Sequence, residues 1–162
     1  MMPPNARRVD NGEVRKRILE RTSPDARWWD LTERVAEVAV TSEDPDYPVE
    51  AMLSGGREWR AAETGEQTIR LTFGEPQNVS RIFLRFVEKD LERTQEFELG
   101  WARDDEQSFR NLLRQQWNFS PQGATEEVEQ YNVDLTAARA IELTIRPGRP
   151  DATVSLAEFK LA

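Results

Sequence analysis

Gln67-Thr68-Ile69-Arg70-Leu71-Thr72-Phe73 alternates polar and apolar side chains along its whole length. An extended chain with that pattern has one apolar face and one wet face, the mark of a strand with one side in a core. Gly74-Glu75-Pro76 follows and is expected to end the strand, because proline cannot donate to a ladder and glycine weakens one. The period of two persists on both sides. Upstream, Val35, Glu37, Val38 and Val40 open a first strand that ends at Thr41-Ser42. Downstream come Val79 and residues 81–87, then Phe97-Glu98-Leu99-Gly100-Trp101, then strands over residues 109–119, 128–135, 140–145 and 154–161. Short strands separated by Gly, Pro, Asn and Asp predict an all-β fold, an antiparallel sandwich or barrel. Trp59, Phe73, Ile82, Leu84, Phe97, Leu143 and Leu156 fall on its expected apolar face and form the candidate core.

A chain of 162 residues suits one domain with a tail. The division is expected near residue 30, with residues 1–30 as an N-terminal tail and helical extension and residues 31–162 as the sandwich. In the tail, Asp10 or Asn11 is placed to cap a short helix carrying Val14 and Ile18 four residues apart. Glu13 with Arg17 and Lys16 with Glu20 add opposite charges at the same spacing. Ser23-Pro24-Asp25 stops it, since proline disfavours the helical conformation in the residue before it. Trp28 and Trp29 then need a surface to bury two indoles, either the sandwich or another chain. A second copy is the simplest such partner, making a homo-oligomer one of the expectations.

Composition removes several functions. Without cysteine there are no disulfides, thiolate nucleophiles or Cys-ligated metal sites, and without histidine the usual general base and the commonest transition-metal ligand are missing. Only three of the 22 basic residues are lysine, leaving little for lysine chemistry. No enzymatic activity is expected. No apolar run approaches the roughly 20 residues that cross a bilayer, and the start Met1-Met2-Pro3-Pro4-Asn5-Ala6-Arg7-Arg8 is not an apolar leader. No membrane association and a cytoplasmic location are therefore expected. Residues 1–22 hold six basic and three acidic side chains, a balance of +3, while the remainder holds 16 basic and 27 acidic ones, a balance of −11. A body so acidic repels phosphate backbones, so no nucleic acid is expected as partner.

Several stretches together resemble the discoidin or coagulation-factor type C domains, galactose-binding-like jelly rolls. The resemblance covers residues 38–161. It begins with the strand ending in Thr41-Ser42, passes Ala51-Met52-Leu53-Ser54-Gly55-Gly56 to Trp59, and continues through Ile69-Arg70-Leu71-Thr72-Phe73-Gly74-Glu75-Pro76-Gln77-Asn78-Val79-Ser80-Arg81-Ile82. Ala138-Arg139-Ala140-Ile141-Glu142-Leu143-Thr144-Ile145 and the closing Ser155-Leu156-Ala157-Glu158-Phe159-Lys160-Leu161 are similar to the two strands that finish such domains. The fold it implies is an antiparallel jelly-roll β-sandwich, preceded here by the short N-terminal helix.

Two sites are implied by the resemblance. A structural calcium in many such domains lies between the loop before the tryptophan and the terminal Glu, here residues 53–58, with backbone groups of Leu53 and Gly56, and Glu158 as the second arm. The acid usually found in that loop is missing, and Leu53-Ser54-Gly55-Gly56 offers only carbonyls and one hydroxyl. No other cofactor is required. The second site is a ligand face on loops at one end of the sandwich, where sugar recognition combines an aromatic plane with charged and amide groups. The candidates are Asp46, Tyr47, Arg60, Glu63, Arg93, Trp117 and Asn118. Arg93 precedes a Phe-x-Leu strand, as an arginine does in several sugar-binding relatives, whereas their matching histidine has no counterpart in Ala61-Ala62-Glu63-Thr64. Arg139 and Glu158 are candidates for a pair that satisfies buried polar groups.

The resulting expectation is a non-catalytic module that binds carbohydrate through loops at one end. An intracellular adaptor for a protein partner, using the basic N-terminal helix on an acidic body, is the alternative. A carboxylate-based glycoside hydrolase is the remote one, with Glu43, Asp44 and Asp46 as its candidate acid cluster.

Overall fold

A computed structural model of the chain describes residues 28–103 and 108–162. The expected N-terminal helix and the basic head of residues 1–22 lie outside the described residues. In chain order the elements are α1 (Leu31–Arg34), β1 (Val35–Val40), α2 (Val49–Leu53), β2 (Trp59–Arg60), β3 (Gln67–Val87), β4 (Arg93–Arg103), β5 (Arg110–Phe119), β6 (Glu126–Arg146), β7 (Ser155–Leu156) and β8 (Glu158–Leu161). Every described strand pairing is antiparallel.

Two strands of 21 residues each, β3 and β6, run through both layers of the sandwich. The first part of β3 pairs with β1 and with the last part of β6, Ile69 standing opposite Leu143. Beyond that pair, β4 joins β6 and β5 joins β4, completing one layer. The second part of β3 pairs with the first part of β6, Leu84 opposite Glu129, and on its other side with β8. The two long strands bend together where their register shifts, between Thr72 and Arg81 on β3. Asn78 Oδ1 accepts the Ala137 N–H at 2.9 Å there, and Ala137 takes a φ of 57°.

That bend corrects one expectation. Gly74-Glu75-Pro76 does not end the strand; the chain stays extended through it while the ladder slips. A bulge tolerates proline because the extra residue needs no ladder bond, and it bends the strand from one layer into the other. For the same reason residues 128–135 and 140–145 are one strand rather than two.

All seven candidate core side chains are fully buried. β2 carries Trp59 opposite Leu156 of β7, and Phe86 of one layer stacks on Phe97 of the other with centroids 5.3 Å apart. Each such side chain contributes about 1.5–3 kcal/mol relative to exposure, so the interlayer seam is where the fold is held.

The two residues Trp28 and Trp29, just ahead of α1, pack on the sandwich. The Trp29 N–H donates to the Leu161 carbonyl at 2.8 Å and its ring meets Phe73 edge-on, while Trp28 tilts against Phe83. Both indoles therefore pack on the sandwich of their own chain. Ser80 and Arg81 donate to the Ala162 carbonyl, so Trp29 and the C-terminus share the end where β3 bends. At the other end Gly65 N–H donates to Ala152 O, tying the loop after β2 to the loop after β6, and Glu88 N–H donates to Thr125 O, tying the loop after β3 to the one after β5.

Candidate ligand-binding cleft

At the loop end the chain forms an open cleft of about 950 Å³. Its first wall is the segment between β1 and β2, laced to β2 by backbone bonds from Asp44 N–H to Arg60 O and from Arg60 N–H to Tyr47 O. Glu43 accepts the Val49 N–H at 2.7 Å and Asp44 Oδ1 accepts the Asp46 N–H at 2.9 Å. The tight acid cluster of the sequence is thus engaged in shaping a turn, the usual use of such side chains.

That turn presents Tyr47, and two guanidinium groups stand over its ring, Arg60 at 3.9 Å and Arg57 at 4.7 Å from the centroid. Arg60 also donates Nε to Glu58 at 2.7 Å. The ring acts as a splint that holds both arginines toward the cleft.

The opposite wall comes from the end of β3, the loop after it, and the loop after β6. Arg85 donates to Glu158 and Glu126, and Lys160 reaches Glu158 at 3.2 Å. Burial works against the charge of Glu158, but its bonds from Arg85 and Lys160 outweigh this and hold its carboxyl below the ordinary carboxylate range. Glu88 shows the same balance: burial opposes ionisation, while the Arg93 hydrogen bond and the Asp90 and Leu91 amides bring the carboxyl below that range. Asp151 is lowered by its two-point pairing with Arg149, at 3.0 and 2.8 Å. Lys89, Asp90, Thr153 and Ser155 complete the polar lining.

Of the residues expected at a site, the structure brings Tyr47, Arg60, Gly56 and Glu158 to this cleft. Leu53 lies next door, lining a smaller pocket of about 320 Å³ with Trp28, Trp29 and Glu158. Asp46 and Glu63 are exposed on neighbouring loops outside the lining; the Glu63 carbonyl accepts the Gln67 side-chain amide. Trp117 and Asn118 stand on β5, where Trp117 packs partly on the core and Asn118 accepts from Thr94 Oγ1 at 2.7 Å.

Arg93 requires a correction. Its side chain is 2% exposed and donates to Glu88 at 2.8 Å, to the Gln95 amide oxygen at 2.9 Å and to the Pro147 carbonyl at 3.1 Å. Buried, with Nε and one terminal nitrogen taken by the protein, it supports the loop after β3 from beneath rather than meeting a ligand. Arg139 and Glu158 do not form the expected pair either. Arg139 donates to the Phe73 and Gly74 carbonyls, and Glu158 pairs with Arg85.

The residues do not fit calcium, which takes six to eight oxygens. Glu158 is the one carboxylate of the expected set and already carries two cationic partners. The loop before Trp59 turns two N–H groups, those of Gly56 and Arg57, onto Ala51 O. No group of three His, Cys, Asp or Glu able to hold a metal exists among the described residues.

Sequence reasoning missed Arg57, Arg85 and Asp151. Arg57 lay inside the loop assigned to calcium, and nothing local marks a strand arginine or a lone loop aspartate as lining a cleft.

Neither a protein-family model nor a curated protein sequence matches the chain. Solved structures do. The CBM32 module of AlyQ, in complex with 4,5-unsaturated mannuronic acid, aligns with a TM-score of 0.59 at 22% identity over 79% of this chain and 95% of that one. The family 32 CBM of C. perfringens NanJ, in complex with galactose, gives 0.63 at 16% over 83% and 96%. A pectin-binding carbohydrate-binding module gives 0.54 at 20% over 78% and 89%. The chain has the discoidin-like galactose-binding sandwich that such modules share.

Proposed function

We propose that this protein is a non-catalytic carbohydrate-binding module that takes a glycan in the loop-end cleft between Tyr47 and Glu88. The observation that supports this most is the cleft itself. Polar groups with hydroxyl-binding capacity line it: Arg57, Glu58, Arg60, Lys89, Asp90 and Ser155. The fold's solved neighbours include modules in complex with galactose and with 4,5-unsaturated mannuronic acid, and a chitosan-binding module from Paenibacillus sp. IK-5. Ionised groups accept or donate charge-assisted hydrogen bonds to sugar hydroxyls without any covalent step.

A glycan array followed by calorimetry tests the reading. Binding of at least one glycan class at micromolar to millimolar strength is expected. An empty array, with flat titrations for galactose, uronate and glucosamine oligomers, defeats it.

A further inference from the structure

We infer that the cleft is built for an acidic sugar, one carrying a carboxylate such as a uronic acid, rather than for a neutral one. This rests on the carbohydrate-binding reading and narrows it.

Charge placement is the first ground. Glu58 is paired with Arg60, Glu88 with Arg93, Asp151 with Arg149, and Glu158 with Arg85 and Lys160. Among the described residues, Arg57 and Lys89 line the same cleft without a carboxylate partner, and Asp90 is the one lining acid without a cation. In a protein of net charge −8, the unspent charge at this site is therefore mostly positive.

The second ground is the state of the aromatic ring. A neutral pyranose needs an open aromatic face against its C–H surface, but Tyr47 has guanidinium groups stacked on it at 3.9 and 4.7 Å. The stacking leaves Arg57 with its planar fork held in place, so less freedom is lost when it grips a carboxylate at two points. Arg57 and Lys89 are both exposed, so a carboxylate reaches them without displacing an ion pair. Asp90, beside Lys89, is left to accept a sugar hydroxyl.

The test is calorimetric, on the full chain, with oligogalacturonate and oligomannuronate, the methyl ester of oligogalacturonate, and neutral galactose oligomers. The acids are expected to bind, and esterification to weaken binding about tenfold or more, since hydrogen bonds between charged groups are the strong ones. Arg57→Ala with Lys89→Ala should lower affinity for the acids by a similar factor at unchanged melting temperature, and Arg57→Lys should recover only part, because lysine has no fork. Equal or tighter binding of the ester or the neutral oligomers overturns the inference while leaving the carbohydrate-binding reading standing. Binding of none of the probes overturns both.

Discussion

Glu127 and Glu129 stand two residues apart on the inner face of β6, one of them 1% exposed, and no donor from another residue reaches either Glu127 oxygen. Burial, followed by the hydrogen bond and charge of Glu129, raises the Glu127 pKa to about 9. Burial and the neighbouring carboxyl both disfavour its charged form, so Glu127 keeps its proton at neutral pH. Glu129 also receives the Gln115 side-chain amide from β5 at 3.4 Å, which links the edges of the two layers.

That pair makes stability fall with rising pH. A carboxyl raised in the folded state contributes its full share below its ordinary value of 4.5 and loses it as pH climbs toward about 9. Between those limits the folding constant should drop by up to about tenfold per pH unit. Glu88 and Glu158, lowered in the folded state, act oppositely and lose their contribution as pH falls through the carboxylate range. Urea unfolding from pH 4 to 9 is expected to show a maximum near pH 5. In Glu127→Gln the alkaline decline should flatten, and an unchanged decline would show that another group carries it.

Arg93→Met should cost about 3 kcal/mol, because Glu88 is left 13% exposed and without its cation. Sugar affinity per folded molecule should change far less than stability. A loss of affinity at full stability would return Arg93 to the ligand site.

Gly148 has a φ of 82°, and a Cβ there would run into the Thr94 carbonyl oxygen. Gly148→Ala is expected to destabilise by at least about 2 kcal/mol from the combined strain and clash. Gly123→Ala, with nothing within 4 Å of the added carbon, is the control and should lie within about 0.5 kcal/mol of the parent.

Calcium and EDTA should leave the melting temperature unchanged, given that Arg85 and Lys160 occupy Glu158. A ligand that prefers the native state raises that temperature, so a calcium-dependent rise would show that the loop of residues 53–58 finds oxygen donors in another arrangement.

Much of the sandwich was legible because burial enforces period two: Ile69, Leu71 and Phe73 face one way and their polar neighbours the other. The parity extends further than its apolar members. Arg93 and Gln95 fall on the same face as Phe97 and Leu99 and are buried with them, a signal that could have marked Arg93 as interior. The bends of β3 and β6 were hidden, since Gly74-Glu75-Pro76 reads identically as a stop and as a bulge. The cleft was only half visible. Tyr47 and Arg60 are brought together by backbone bonds across a turn, whereas Arg57, Lys89 and Asp151 meet through packing of loops far apart in the chain.

The most direct test of the central claim is a backbone amide NMR titration of the protein with the glycan that scores best on the array. Shifts are expected to concentrate at residues 47, 56–60, 88–91 and 151–155, with β5 unmoved. Shifts centred on Trp117 and Asn118, or none with any glycan up to about 10 mM, would contradict it.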